Sequence, residues 1–323
     1  MEIFKNNKTY EFMSKRISFL SLSSFLIIFS LVLIFTKGLN FGIDFSGGTL
    51  IQIKYIQEAP IKKIRAILNS NKDYKNSSMS QFGSKEEIVI RIAKSSQDLS
   101  VDIGDKITAL LKSTGNFEVR RVDMVGPKVG NQLRQTGLIA LFLSLIVILI
   151  YVSFRFEVRF AIASIIALLH DVIIALGMIC LFRIEVNLDI LAAILTILGY
   201  SLNDTIIVFD RIREGITTQK ESNLEKLVNM CVSKTLSRTT LTSLTTFFVV
   251  VTLFLFGGEI INGFAFTLLV GVIVGTYSSI FIAASFLVQL KFSIKDFKDK
   301  EALKLKRKKE KDDMRAMYEQ GRI

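Results

Sequence analysis

Six long apolar runs constrain this sequence more than any other feature. Each run is near or above the roughly 20 residues that a helix needs to cross about 30 Å of hydrocarbon. Half of the residues are hydrophobic, yet the formal net charge is +12. This combination is typical of a membrane protein, because its basic residues collect in the connections between spans. The sequence therefore predicts six transmembrane helices, over residues 17–35, 136–154, 158–182, 188–209, 239–256 and 262–290.

The distribution of Lys and Arg predicts how these spans are oriented. Basic residues precede the first span, separate the second from the third and the fourth from the fifth, and follow the sixth. By the positive-inside rule, the N-terminal residues 1–16, the connection 210–238 and the C-terminal tail 291–323 are cytoplasmic, and residues 36–135 are not. We interpret the first span as an uncleaved anchor, because it exceeds the usual signal-peptide core of about 7–15 residues and no small-residue cleavage signature follows it.

The segment between the first two spans has the pattern of a small α+β domain. Its order of predicted elements, β-α-β-β-α-β, indicates a ferredoxin-like sandwich. The predicted fold class is therefore a multi-pass α-helical membrane protein, with a six-helix bundle and a small ferredoxin-like extracytoplasmic (periplasmic) domain. The strands are predicted over residues 48–55, 80–82, 87–92 and 117–125, and the helices from Pro60 onward and over residues 99–111.

Neither part of the sequence suggests an enzyme. A domain of about 100 residues has little room for a deep active site. The chain has one histidine and two isolated cysteines, which offer neither a metal-binding cluster nor a catalytic Ser/His/Asp set. We therefore expect a transport protein that works without a metal or an organic cofactor.

An aspartate within the fourth span is the most informative polar residue, since an ionisable group at the bilayer centre costs about 2.5–3.5 kcal/mol to insert. Asp204 lies about 24 Å of helix rise from the start of its span, in the cytoplasmic third of the membrane. Arg238 stands where the fifth span begins, at a similar depth, and we expect the two side chains to meet. Asn203 and the hydroxyls that follow Arg238, including Thr242 and Ser243, supply hydrogen-bonding groups.

Two interpretations of this site remain open. An apolar environment favours the protonated form of an acid and a nearby arginine favours its charged form, so a movement that separates the two groups couples to proton uptake and release. Alternatively, the polar groups form a static cluster that holds the helices together. Intramembrane acids are functional by default, which favours a proton relay of Asp204, Arg238, Asn203 and Thr242. The residues alone do not determine whether the coupling ion is a proton or sodium.

Two further features lie inside the predicted spans. His170 and Asp171 form an additional polar pair in the third span, where adjacent helix residues do not share a face and only one need point inward. This pair serves either a relay or a hydrogen bond between helices. In the sixth span, small residues recur four apart, including Gly271 and Gly275, and we favour internal packing there over a partner-binding face.

The loop after the first span and the C-terminal tail carry recognisable patterns. The glycine-rich residues 42–48 lack the Lys-Ser/Thr of a phosphate loop, so we interpret them as a tight lead into a strand. Asp44 is expected to bind backbone amides there, ahead of Gly47 and Gly48. The basic run 304–309 predicts attraction to anionic lipid at about 1 kcal/mol per residue. Because no aromatic residues interleave it, the run gives no reason to expect nucleic-acid binding.

Taken in order, these motifs resemble the SecF family of bacterial protein-export membrane proteins, across nearly the whole chain. The resemblance implies half of an RND-type transporter, located in the bacterial cytoplasmic (inner) membrane with both termini in the cytoplasm. It also implies that Asp204 is the membrane carboxylate of a proton pathway and that Arg238 is its gating arginine. The motifs are residues 42–48, Val125-Gly126-Pro127, His170-Asp171, residues 199–205, residues 210–214 and Ser237-Arg238-Thr239.

The same resemblance implies partners and a function. It implies a heterodimer with SecD, association with the SecYEG channel, YajC as a further candidate partner, and an unfolded preprotein as substrate. The proton-motive force then completes translocation after the SecA-driven step. Two alternatives stay open, namely half of an RND-type exporter of small molecules or lipids, and a structural membrane scaffold. The small extracytoplasmic domain favours protein export, because a small-molecule pump normally has two six-span halves and large outer domains in one chain.

Overall fold

The computed structural model describes residues 9–71, 74–75, 77–93, 103–219, 221–290 and 292–319. Within these ranges, six helices are long and apolar enough to cross a membrane, which confirms the predicted number of spans. They are Met13–Lys37, Pro127–Arg155, Val158–Leu181, Leu188–Thr218, Leu224–Phe256 and Glu259–Gln289.

The first and last of these spans include short segments that are not α-helical, a 3-10 turn at Met13–Lys15 and a π-helical turn at Ser279–Ala283. The elements in chain order are α1 (Arg16–Lys37), β1 (Asn40–Phe41), α2 (Ile43–Ser46), β2 (Gly48–Tyr55), α3 (Ile61–Ser70), β3 (Ser78–Phe82), β4 (Ser84–Ala93), α4 (Ile103–Leu111), β5 (Phe117–Val125), α5 (Pro127–Arg155), α6 (Val158–Leu181), β6 (Glu185–Val186), α7 (Leu188–Thr218), α8 (Leu224–Phe256), α9 (Glu259–Ser278), α10 (Ala284–Gln289) and α11 (Ile294–Glu319).

The helices α7 and α8 extend beyond the apolar runs that predict them. The connection predicted over residues 210–238 is therefore almost entirely helical, and only residues 219–223 separate the two helices. Burial explains the difference, because the predicted connection carries apolar side chains that pack in a core at this end of the bundle. Those that are fully buried are Ile212, Ile216, Leu227, Val228 and Val232.

The bundle has three central helices, α6, α7 and α9, surrounded by α1, α5 and α8. Half or more of the most apolar stretch is buried in each of the three central spans, against less than a fifth in each peripheral one. Small, fully buried residues on α6, such as Ala163 and Ala167, let its neighbours approach closely. The peripheral helices therefore present broad apolar faces outward.

The small residues of α9 face α7. A side chain added at Gly271 would overlap Ile197, and a Cβ at Gly275 would lie 3.1 Å from Cβ of Ser201. Close backbone approach at both positions brings Ser201 next to α9. The interpretation of this ridge as internal packing is confirmed.

The four longer strands form one antiparallel sheet in the order β3-β4-β2-β5. With α3 and α4 this is the ferredoxin-like arrangement that the sequence predicts. The helix predicted over residues 99–111 is observed from Ile103 onward, and residues 99–102 lie outside the described residues. The fully buried core of this α/β domain consists of Ile51, Ile53, Ile64, Ile88, Ile90, Ile107 and Leu111.

The start of the described chain and the start of the C-terminal tail lie at the end of the bundle opposite the α/β domain, which we call the far end. The backbone amide of Met13 donates to Oδ1 of Asn229 at 2.9 Å, and Arg16 forms an ion pair with Glu225. The start of the tail is anchored by Phe292 and Phe297, which are buried in the same core. The N-terminal segment, the α7–α8 connection and the start of the tail therefore share one end.

Candidate functional site

Asp204 lies inside the bundle on α7, with 1% of its surface exposed. Ser243 of α8 donates a hydrogen bond from Oγ to Oδ2 of Asp204 at 3.1 Å. Among the described residues, this hydroxyl is the only hydrogen-bond donor to the Asp204 side chain. A buried carboxyl group with one donor is poorly compensated, since a buried charge needs several polar partners.

Two hydroxyl groups near this carboxyl also lack partners. Thr205 follows Asp204 on α7, and Thr239 lies one turn before Ser243 on α8. Both residues are at least 99% buried, and neither Oγ1 atom has a hydrogen-bond partner in the part of the chain that the structure describes. Buried polar atoms of this kind are normally satisfied by ordered water. The site therefore has polar groups suited to holding water between α7 and α8.

The structure does not bring Arg238 to Asp204. The side chain of Arg238 is exposed, and it makes no ion pair within the described ranges. Arg238 and Ser243 are five positions apart on α8, about 140° around the helix, so only one of them points at α7. The predicted pairing of Asp204 with Arg238 is therefore not present in this conformation.

The other predicted relay residues are also directed away from the carboxyl group. Asn203 and Thr242 are both exposed. Thr242 donates from Oγ1 to the carbonyl of Thr239 at 2.9 Å, a bond within its own helix. The sequence indicated a run of hydroxyls after Arg238, and the rotation of α8 selects Ser243 from that run.

A second buried carboxylate, Asp171 of α6, lies in a denser polar cluster. Its Oδ2 accepts hydrogen bonds from Oγ of Ser201 on α7 at 2.5 Å and from Oγ of Ser278 on α9 at 2.8 Å. Its Oδ1 lies 2.8 Å from Nδ1 of His170. Asp171 thus joins three helices through one side chain.

Both members of the His170-Asp171 pair point into the protein, with 2% and 0% of their surfaces exposed. The sequence required only one of them to do so, but α6 is surrounded by other helices, so side chains on both of these faces of α6 are buried. The His170 ring stacks on Tyr277 at 6.1 Å between centroids, and the Tyr277 hydroxyl donates to the carbonyl of Phe19 in α1 at 2.9 Å. His170 Nε2 has no partner among the described residues.

The two serines that bind Asp171 were not among the predicted site residues. Ser201 lies within the motif that contains Asp204, and Ser278 lies in a predicted span whose sequence carries no charge and is marked by small residues. One signal was available, because Ser201 precedes Asp204 by three positions and therefore lies on the same side of the helix. The π-helical turn that begins at Ser279 is a second signal, visible only in the structure, since such turns often accompany functional sites.

The glycine-rich loop positions the start of α7. Asp44 Oδ2 accepts a hydrogen bond from the backbone amide of Leu188 at 3.1 Å, so the expected amide binding occurs at the first residue of the fourth span. Gly47 and Gly48 have positive φ angles of 73° and 143°. A Cβ at Gly47 would lie 2.8 Å from Cα of Pro127, so only glycine permits this contact between the loop and α5.

A polar cleft of about 320 Å³ separates the α/β domain from the bundle. Across it, Nε of Arg91 in β4 lies 2.7 Å from Oε2 of Glu185 in β6. Burial raises the pKa of Glu185, and the nearby Arg91 and a hydrogen bond with Asn187 offset only part of that effect. The other charged residues that line the cleft are Asp44, Arg121, Asp123, Asp189 and Glu259.

Six spans, buried intramembrane carboxylates and one ferredoxin-like domain define a multi-pass membrane protein built on the plan of half an RND transporter. The model of the family described as protein export membrane protein SecD/SecF, C-terminal, matches residues 106–293. The SecD/SecF GG motif matches residues 32–57, which include Gly47 and Gly48. The chain belongs to the SecF family of protein translocase subunits.

Individual relatives support the same assignment. The chain is 46% identical to protein translocase subunit SecF of Helicobacter pylori strain J99 over 323 residues, the whole of both chains. It is 48% identical to that of Calditerrivibrio nitroreducens over 297 residues, 90% of this chain and 97% of the relative.

Solved structures of SecDF have the same fold. The crystal structure of SecDF, a translocon-associated membrane protein, from Thermus thermophilus matches with a TM-score of 0.81 and 33% identity. SecDF in its super-membrane-facing form matches with a TM-score of 0.67 and the same identity. These matches cover 90% and 92% of this chain, but only 40% of each SecDF chain.

Proposed function

We propose that this protein pairs with SecD and uses the proton-motive force to complete preprotein translocation through the SecYEG channel, after the SecA-driven step. The location is the bacterial cytoplasmic membrane, with both termini in the cytoplasm. Membership of the SecF family and the likeness to SecDF support the pairing, because this chain covers two-fifths of a SecDF chain and leaves the remainder to SecD. YajC stays a further candidate partner.

The observation that carries the proton-coupled part is the state of Asp204. This carboxyl group is 1% exposed, it has one hydrogen-bond donor, and two unpartnered hydroxyls lie nearby. Such a group is costly to keep charged in an apolar bundle, so binding a proton relieves the cost. Intramembrane acids with these surroundings serve ion pathways by default. We take the coupling ion to be the proton.

Arg238 supplies the second state of the proposed cycle. In the present conformation it is exposed and separated from Asp204 by the rotation of α8. A rotation of α8 that exchanged Ser243 for Arg238 would favour the charged carboxylate and expel the proton. Alternation between the two contacts then couples proton release to helix movement, with Thr242 and Asn203 as polar groups beside the moving helix.

Substitution of Asp204 by asparagine tests this proposal. Asp204→Asn keeps the size and the hydrogen bond with Ser243 but cannot exchange a proton, so we expect insertion and SecD pairing to persist while proton-dependent export is lost. The measurement is preprotein export into inverted membrane vesicles with and without a proton gradient. Asp189→Asn is the matched control, because Asp189 is an exposed residue in the first turn of the same helix. Wild-type export by Asp204→Asn would contradict the proton-coupled function and favour the alternative of a structural membrane scaffold.

A further inference from the structure

Asp171 and Asp204 are connected along one face of α7. Ser201, which donates to Asp171, lies three residues before Asp204 and four before Thr205. Residues at these spacings are neighbours on a helix surface, about 5–6 Å apart at their Cβ atoms. Asp204 and Thr205 therefore flank Ser201 on the surface of α7, and the unpartnered Thr205 hydroxyl adds a polar group there that a water molecule would satisfy. A serine hydroxyl passes a proton by accepting one and releasing its own, so one bridging water between Ser201 and Asp204 would complete a route between the two carboxyl groups.

The hydrogen bonds of Asp171 depend on its protonation. As a carboxylate it accepts from Ser201, Ser278 and His170 at once, since an ionised carboxylate is an acceptor only. A proton on Oδ2 turns that oxygen into a donor, and at least one serine hydroxyl must then turn away. Ser278 has an alternative acceptor at hand, because its Oγ also lies 3.1 Å from the carbonyl of Gly275. Protonation therefore allows Ser278 to turn to that carbonyl, which would release the bond between α6 and α9 without leaving its hydroxyl unsatisfied.

His170 gives this carboxyl group a second exchange partner. Its Nδ1 donates to Oδ1 both when the acid is charged and when the proton lies on Oδ2, and it accepts from Oδ1 only when the proton lies on that oxygen. Both arrangements leave Nε2 needing a partner, and none is present among the described residues although the ring is 98% buried. Water or a group moved into place by a neighbouring helix satisfies it.

We propose that Asp171 is a second proton-exchanging carboxylate, which trades a proton with Asp204 through Ser201 and whose protonation releases α9 from α6. The transfer moves one proton and no electrons. Asp204 gives its proton to the bridging water, the water protonates Ser201 Oγ, and Ser201 passes its own proton to Oδ2 of Asp171. The inference rests on the proposed function of Asp204 and extends the pathway to the helix contacts that the proton controls.

Proton flux tests the inference on the full chain in its complex with SecD, reconstituted in liposomes that contain a pH-sensitive dye. Ser201→Ala removes the relay hydroxyl and adds no volume, so flux should fall by about a hundredfold, the scale of one positioned proton-transfer group. Ser164→Ala is the matched control, because Ser164 lies on α6, is 1% exposed and donates only to the Phe160 carbonyl of its own helix. It should leave flux unchanged.

Infrared difference spectra between acidic and basic buffer show which acids bind protons. The wild-type complex should show two buried carboxylic acid bands, one lost in Asp171→Asn and the other in Asp204→Asn. A purely structural role for Asp171 would alter assembly or thermal stability without removing a band. If Asp171→Asn does not assemble with SecD, the proton flux of the Ser201→Ala complex tests the inference instead.

The outcomes separate the two proposals. The role of Asp171 is overturned if Asp204→Asn loses proton flux while Ser201→Ala keeps the flux of the control. It is also overturned if the infrared spectrum of Asp171→Asn matches that of the wild type. Either result leaves the proposed function standing. Wild-type flux and export in Asp204→Asn overturn the proposed function, and this inference with it. Slow proton flux in Ser201→Ala, together with a wild-type infrared band that Asp171→Asn removes, supports both the proposed function and the role of Asp171.

Discussion

Single atoms at the α7–α9 contact decide whether the polar cluster can form. Ser201 lies next to α9 because that helix presents Gly275 at the crossing, where an added Cβ would lie 3.1 Å from Cβ of Ser201. Gly271 makes the same close approach one turn earlier, against Ile197. Interior packing of this density tolerates no added methyl group without a shift of the helices.

We therefore expect Gly271→Val to destabilise the bundle by about 1–3 kcal/mol, the usual cost of overpacking. Gly199→Ala is the matched control, since nothing lies within 4 Å of a Cβ at that position on α7. Thermal unfolding in detergent should show a lower Tm for Gly271→Val and an unchanged or higher one for Gly199→Ala. Equal Tm values for wild type and Gly271→Val would contradict the packing described.

At the scale of elements, the α/β domain is held to the bundle by short contacts at one end of the helices. The parallel pairing of β1 with β6 places Glu185 opposite Asn40, and the ion pair with Arg91 of β4 joins the sheet to the same connection. Both side chains of this ion pair are partly buried, and the attraction between such charges often fails to recover the cost of their desolvation. The raised pKa of Glu185 is the sign of that deficit here.

Glu185 should therefore make the stability of the protein depend on pH. Its folded-state pKa lies above the ordinary value, so the folded protein binds this proton more tightly than the unfolded chain. The resulting stabilisation is present at acidic pH and is lost as the pH rises from the ordinary pKa through the raised one. Arg91 and Asn187 oppose the shift, whereas Asp44 reinforces it.

Glu185→Gln removes this titration. We expect the variant to match the wild-type Tm in acidic buffer and to lose less stability than the wild type as the pH rises through that window. Glu118→Gln is the matched control, because Glu118 also pairs with an arginine, Arg120, but is 68% exposed. Parallel pH profiles for wild type and Glu185→Gln would show that Glu185 titrates as it does in water.

At the scale of the whole molecule, the bundle and the α/β domain are separable units. Lys54 and Glu118 lie opposite each other in the sheet. Replacement of residues 54–118 by a short glycine linker would therefore join two neighbouring strands. The cap that Asp44 forms on α7 and the contact of Gly47 with Pro127 lie outside the deleted segment. The truncated chain should keep its bundle.

We expect this deletion to spare membrane insertion and co-purification with SecD, and to abolish proton-dependent export, because the proposed function assigns contact with the preprotein to this domain. Export into inverted vesicles measures the loss, and co-purification is the control for assembly. Unimpaired secretion by the truncated protein would show that the domain does not handle the substrate.

The sequence by itself determined the six spans, the β-α-β-β-α-β order and the presence of Asp204, His170 and Asp171 within the predicted spans. These properties are local, because the length of an apolar run and the alternation of a strand depend on neighbours in the chain. The family resemblance followed from the same motifs. The ends of the helices were harder to predict from the sequence, since the residues that extend α7 and α8 are stabilised by burial at the far end.

Only the tertiary structure decided which groups meet. Ser243 rather than Arg238 contacts Asp204 because that choice depends on the rotation of α8, which the packing of the whole bundle sets. Asp171 finds Ser201 and Ser278 on two other helices, 30 and 107 positions away in the chain. A hydrogen bond requires its atoms to lie within about 3 Å of each other, and crossing angle, rotation and register of packed helices together determine that distance.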